Sequence, residues 1–193
     1  GLLIFFGMHL LPTAPEVRAT LRERFGETGY RTVFSLVSLI GFAVIVLGYH
    51  KMQLHPGKNP VLWDPPVWTR HVALLLMAPS FILLVAAFIP SKIRTAVKHP
   101  FLASIKLWAL AHLLANGDVA SLLLFGSFLA YGVYDRISVK RRGALGPLGT
   151  RTSAGMGSDV AVVALGLILY GLFVMGGHVH LVGVAPLPGV GWF

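Results

Sequence analysis

Long uncharged runs constrain this chain more than any other feature. Thr32–Tyr49, Val72–Ser91, Val119–Tyr134 and Val160–Ala185 hold 18, 20, 16 and 26 residues without an Asp, Glu, Lys or Arg. A membrane-spanning helix needs roughly 20 consecutive apolar residues, within a range of about 17 to 25. The second and fourth runs meet that length, the first meets it at the margin, and the third is slightly short. Two further segments are apolar. Gly1–Leu11 opens the chain without an initiator Met, and we read it as the clipped remainder of a first helix rather than a signal peptide. Phe101–Ala115 is apolar apart from Lys106, whose ammonium can snorkel to the interface from inside a helix end. The expectation is a single all-α domain over residues 1–193, a polytopic membrane bundle of about six helices. The spans fall near residues 1–11, 31–50, 70–90, 101–116, 118–135 and 159–182.

Charge agrees with this. Only 12% of residues are charged, against about 25% in soluble domains, which leaves too little polar surface to coat a water-exposed globule. The net charge of +9 has a topological explanation. Arg18, Arg22, Arg24 and Arg31 fall in one connection, Lys92, Arg94 and Lys98 in the next but one, and Arg136, Lys140, Arg141, Arg142 and Arg151 in the next but one again. These alternate segments hold twelve of the sixteen Lys and Arg; the intervening connections carry only Lys51, Lys58 and Arg70. The positive-inside rule therefore places the basic segments in the cytoplasm and both termini outside. Anionic lipid is the expected partner of those charges, and no nucleic acid is needed to account for them.

The connections carry local signals. Thr13 and Glu16 have capping-box spacing around Pro15, Val17, Leu21 and Phe25 recur every four residues, and Gly26 ends the pattern, which predicts a short helix in the headgroup layer. Asn116-Gly117-Asp118 predicts a tight helical hairpin, with Gly117 left-handed at the end of one helix and Asp118 capping the next. At 1.5 Å per residue its arms are about 24 Å long, short of the ~30 Å hydrocarbon core, so neighbours are expected to shield them.

Ionisable groups within spans are costly and mark functional candidates. Here they are mainly histidines: His9 in the first helix, His112 in the fourth, His178 and His180 in the sixth. Neutral imidazole is a good ligand for iron and other transition metals. His112 follows Trp108 by four residues, so both share a helix face, and a flat aromatic beside an imidazole can line a planar cofactor. His9 lies one turn after Phe5 and just before Pro12. His178 and His180 lie about 200° apart around a helix and cannot both face one site; they read as interfacial, with Gly176-Gly177 marking close packing or a loosened helix. His99-Pro100 reads as a helix start. Each histidine also has a purely structural reading, a ring bonded to a carbonyl or hydroxyl of a neighbour. The chain has no cysteine, no Gly-rich phosphate loop, no His-Glu-x-x-His and no paired carboxylates within a span.

Several of these residues recur together. Gly7-Met8-His9, Arg18, Gly26, Tyr30, Lys98-His99-Pro100, Leu107 to His112, Asn116-Gly117-Asp118 and Asp135-Arg136 resemble, in order, the motifs of the NnrU family. The resemblance implies a multi-pass bacterial inner-membrane protein linked to denitrification, in nitrite and nitric oxide metabolism. A plant and cyanobacterial branch that looks like the same domain comprises 15-cis-zeta-carotene isomerases, which use haem b held by two histidines. Matching motifs would place the haem ligands on His9 and His112, with Trp108 lining the pocket. It would imply a lipophilic polyene or a respiratory-chain protein as partner. The isomerases carry a Cys three residues before the second histidine, where this chain has Ala109. A rival reading is a non-enzymatic assembly or transport factor for respiratory enzymes, with structural histidines.

Overall fold

A computed structural model describes residues 1–144 and 154–187, so Arg151 of the third basic segment lies outside the described residues. The chain runs through α1 (Leu2–Leu10), a 3₁₀ turn at Leu11–Thr13, α2 (Pro15–Gln53), α3 (Val67–Ala86), α4 (Lys92–Val97), α5 (Pro100–Ala115) and α6 (Val119–Arg141). It ends with α7 (Met156–Leu172), which passes through a π-helical turn at Phe173–Gly177 into α8 (His178–Val182). Among the described residues the only extended pairing is an isolated bridge between Val61 and Asp118.

Four stretches are long and apolar enough to cross a membrane: α2, α3, α6 and the continuous Met156–Val182. Leu2–Thr13 and α5 are apolar but shorter, so a count of six rests on these two. Their neighbours complete them. α5 lies between α3 and α6, and α1 packs on α2 and α6, giving a lateral order of α7, α3, α5, α6 and then the α1–α2 pair. Val85 and Ala86 of α3 bury against Val162 of α7, with Ile82, Ile89 and Ile93 around them. Polar bonds cross between helices where hydrocarbon offers no other partner: Ser80 Oγ donates to the Ser104 carbonyl at 2.9 Å, and Tyr170 Oη to that of Leu74 at 3.0 Å. The outward faces are greasy. Leu36, Leu39, Ile40 and Leu47 of α2 are each more than half exposed, a density of bare apolar surface that water does not tolerate and lipid does.

The expected capping box does not form. Thr13 belongs to the 3₁₀ turn and its hydroxyl donates to the Leu10 carbonyl at 2.6 Å; Ala14 is the N-cap and Pro15 starts α2. Gly26 does break the helix, with φ 70° and ψ 165°, but helix resumes immediately. Glu27, just past the break, pairs with Arg22 before it and with Arg31 one turn later, the latter at 2.7 Å.

The tight α5–α6 hairpin is present, and Asp118 caps α6 by accepting from the Ser121 amide at 2.9 Å. Burial would raise the Asp118 carboxyl, but hydrogen bonds from Ser121 and Asn59 outweigh it and hold it below the usual carboxylate range. Gly117, by contrast, is not left-handed. Its carbonyl accepts from the Leu62 amide at 2.8 Å, and a Cβ at this position would lie 1.8 Å from the Trp63 carbonyl oxygen. Close approach of the loop after α2, not backbone torsion, requires glycine here. Asn59 completes the seam, donating to Asp118 at 2.8 Å and accepting from the Ala120 amide at 2.8 Å.

At the opposite end, contacts tie the basic connections together. The Arg142 guanidinium donates to the Pro12 carbonyl, joining the first basic segment to the third. The Lys92 amide donates to Asp159 at 2.7 Å and Ser158 Oγ to the Pro90 carbonyl, joining the second to the third.

Candidate functional site

Aromatic rings on α6 form the spine of the site. Phe125, Phe128 and Tyr131 recur every three residues, and neighbours three apart share a helix face. Helix α5 brings Trp108 and His112 to the Phe125 end. The His112 ring lies on Phe125 at 4.4 Å between centroids and 26° between planes. Trp108 meets Phe125 edge-on at 5.0 Å and Phe128 at 5.4 Å. Helix α1 brings Phe5, Phe6 and His9 to the other end. Phe6 meets Phe128 at 5.0 Å and Tyr131 at 5.1 Å, while His9 stacks on Phe5 at 4.0 Å and meets Tyr131 at 5.9 Å. The Tyr131 hydroxyl donates to the His9 carbonyl at 3.2 Å.

Both imidazoles are held in one tautomer. His9 Nδ1 lies 2.8 Å from the Phe5 carbonyl and His112 Nδ1 lies 2.8 Å from the Trp108 carbonyl. A carbonyl only accepts, so Nδ1 carries the proton and Nε2 keeps its lone pair, the arrangement a histidine uses to bind metal. Exposed His55 makes the same bond to Lys51, so the bond alone does not single out a ligand. What sets His9 and His112 apart from His55 is aromatic enclosure, by Phe5, Phe34 and Tyr131 around the first and by Trp108 and Phe125 around the second.

The structure brings Trp108 and His112 together, with rings 5.3 Å apart. It does not pair His9 with His112. They touch α6 rings six residues apart, a rise of about 9 Å at 1.5 Å per residue. The ring contacts joining them pass through Phe5, Phe128 and Trp108. Two axial ligands of one iron hold their nitrogens about 4 Å apart, given metal–nitrogen distances near 2 Å.

Three features of the site were not anticipated from sequence. The α6 stripe was legible as aromatics at three-residue spacing. Asp135 is only 3% exposed, with Arg142 3.8 Å away, and nothing local in the sequence marks that carboxylate as interior. The third is the contact of His178, partly exposed near the end of the last span, with His112, their rings 6.2 Å apart. His180 is exposed, as the 200° offset requires. His99 occupies the position just before α5 without a side-chain capping bond and is buried, and Pro100 is the first residue of the helix.

Among the described residues no three His, Asp or Glu side chains converge as a metal site. A porphyrin brings four nitrogens of its own and asks the protein for one or two more donors, which an imidazole nitrogen can supply. The nitrogen that His112 leaves free of the Trp108 carbonyl is a donor of that kind. Beside this layer an apolar groove lined by Leu3, Val44, Ile45, Tyr49, Leu123 and Leu124 runs between α1, α2 and α6.

Comparison with known proteins adds one match. The family model described as NnrU protein matches residues 1–186. No curated protein and no solved structure matches the chain significantly.

Proposed function

The chain belongs to the NnrU family, and from that premise we propose that it is a haem-binding membrane protein in which His112 would hold the iron. The observation that carries this is the His112 ring itself. Its Nδ1 is committed to the Trp108 carbonyl, its Nε2 lone pair is left for a ligand, and Phe125 and Trp108 present flat apolar faces around it. His9 carries the same tautomer on the neighbouring tier of α6 and is the second ligand that the family resemblance implies.

Haem b at this position would supply either one-electron redox chemistry or Lewis acidity toward a double bond. The chain's own residues then decide which substrates reach it. The apolar groove between α1, α2 and α6 suits a lipophilic polyene arriving from the bilayer, which favours cis–trans isomerisation. The family's link to nitrite and nitric oxide metabolism would instead make a respiratory-chain protein the partner. The bacterial inner membrane, with the basic connections in the cytoplasm and both termini outside, completes the proposal.

A visible spectrum of the detergent-solubilised protein tests it. A Soret band that disappears in His112→Ala is the expected result. No Soret band after haem is offered, together with wild-type behaviour of His9→Ala and His112→Ala in cells, would overturn it in favour of an assembly or transport factor with structural histidines. Incubating haem-loaded protein with cis-polyenes separates isomerisation from electron transfer.

A further inference from the structure

Arg18, Gly26 and Tyr30 are among the residues on which the family resemblance rests, yet none takes part in the site around His112. The structure brings them together. Gly26, at φ 70° and ψ 165°, breaks the long second helix. The segment before the break lays the Arg18 guanidinium over the Tyr30 ring, 5.9 Å from its centre. We infer that Arg18 and Tyr30 form an oxyanion site at the basic end of the bundle, filled by the phosphate of a phospholipid or by free phosphate. The inference goes beyond the haem reading and does not rest on it. Phe34 stands between this pair and His9, its ring 6.1 Å from Tyr30 and 5.3 Å from His9.

Two buried polar atoms carry the case. Among the described residues no hydrogen bond reaches Arg18 Nε or the Tyr30 hydroxyl, although both atoms are shut away from water. Tyr30 as a whole is only 7% exposed. Buried polar atoms are nearly always satisfied, and leaving one without a partner is most costly when it belongs to a charged group. Arg18 can only donate and a phenol donates readily, so one acceptor can serve both. A partly buried guanidinium favours an acceptor that is negative. Among the described residues Arg18 forms no ion pair, and the carboxylate just past the break, Glu27, is taken by Arg22 and Arg31. The Tyr30 ring face attracts the cation but leaves Nε and the hydroxyl unfilled.

The spacing suits a single ligand. A cation over a phenol ring at this height lies roughly 7 Å from the hydroxyl oxygen, and two oxygens of one phosphate, each bonded at about 2.8 Å, bridge donors up to about 8 Å apart. Arg18 remains partly exposed, so a ligand reaches the guanidinium from outside, with Tyr30 enclosed behind it. The segment Pro15–Phe25 belongs to the end where the basic connections gather, the level at which a bilayer presents its phosphates. Gly26 sets the arrangement. Nothing lies within 4 Å of a Cβ built there, so backbone conformation and not space demands the glycine. Backbone restricted in this way gathers at ligand sites.

The experiment follows thermal unfolding of the full chain, without added haem, in a neutral detergent. Phosphatidylglycerol, a diacylglycerol with the same acyl chains, and sodium phosphate at constant ionic strength are titrated separately. Phosphatidylglycerol is expected to raise the Tm saturably and diacylglycerol to leave it unchanged. A matching rise with sodium phosphate assigns the site to the free anion, and no rise there assigns it to lipid. Arg18→Gln and Tyr30→Phe should each need at least about tenfold more additive to reach half of the rise. Arg24→Gln, which removes an exposed charge from the same segment, should titrate as the wild type does. Tyr30→Phe removes a hydroxyl and no charge, so it separates a site from general attraction to cations. Without additive it should be at least as stable as the wild type, because no bond is lost. Should Arg18→Gln fail to fold, Tyr30→Phe carries the test alone. Equal midpoints in the wild type and Tyr30→Phe overturn the oxyanion site. So does a rise with diacylglycerol as large as with phosphatidylglycerol, or no rise with either phosphate-bearing additive.

Discussion

At the scale of single residues, the α5–α6 corner separates what sequence shows from what only a fold can show. Asp118 was legible as an N-cap because its partners lie within three residues, and the Ser121 bond is local. Gly117 was legible as a glycine that matters, but for the wrong reason. Its requirement comes from the Trp63 carbonyl, 54 positions earlier in the chain, and no local pattern announces that approach. Gly117→Ala should therefore push the loop after α2 off the hairpin and cost about 1–3 kcal/mol, the usual range for overpacking. Gly126→Ala is the control. That site lies inside α6 with nothing within 4 Å of the added carbon, and should be neutral or stabilising by about 0.5–1 kcal/mol. Thermal unfolding of the two variants in one detergent decides the matter; equal losses would mean that the clash at Gly117 is relieved at no cost. The ligand candidates follow the same division. His112 and Trp108 sit four apart on one helix, and their pairing was readable from spacing. The contact of His178 with His112 was not, because two helices distant in the sequence bring those rings together.

At the scale of elements, sequence located the breaks better than it located the lengths. Gly26 interrupts α2 where the pattern placed a helix end, and a second helical stretch runs from Glu27 through a polar first turn into the apolar run up to Gln53. The kink is a conformational demand. With φ 70° and ψ 165°, Gly26 occupies backbone space that is essentially restricted to glycine, while no atom lies within 4 Å of a built Cβ. Gly26→Ala isolates backbone strain from packing. It should lower the stability of the folded state by about 1–3 kcal/mol, read as a lower Tm, with faster hydrogen exchange concentrated in Pro15–Phe25. Unchanged exchange there would mean that α2 straightens without penalty. Glu27→Gln should produce a smaller loss by the same measurement, since the Arg22 and Arg31 partners are largely exposed.

At the scale of the whole molecule, alternation of charge and alternation of helix direction coincide. Bonds from Arg142 to Pro12 and from the Lys92 amide to Asp159 gather the basic connections at one end. The seam of Asn59, Asp118 and Gly117 closes the other. The cysteine-free sequence makes the orientation measurable. Lys58→Cys and Lys98→Cys place single thiols at exposed positions of the two ends. A membrane-impermeant maleimide should label the first in intact cells and the second only after permeabilisation. The reverse order would invert the orientation, and equal labelling would break the alternation itself. The short helix at the centre has a consequence for the bilayer. Within α5 only Leu110 is exposed; Pro100, Leu102, Ser104, Ala109 and Ala111 are buried, the other residues are partly covered, and α3 and α6 pack on either side. Lipid meets the longer helices at the rim, so mismatch between protein and acyl-chain length is absorbed by tilting of α2 and α7. The buffering reaches the layer around His112 through α3 and α6, the two helices that flank α5.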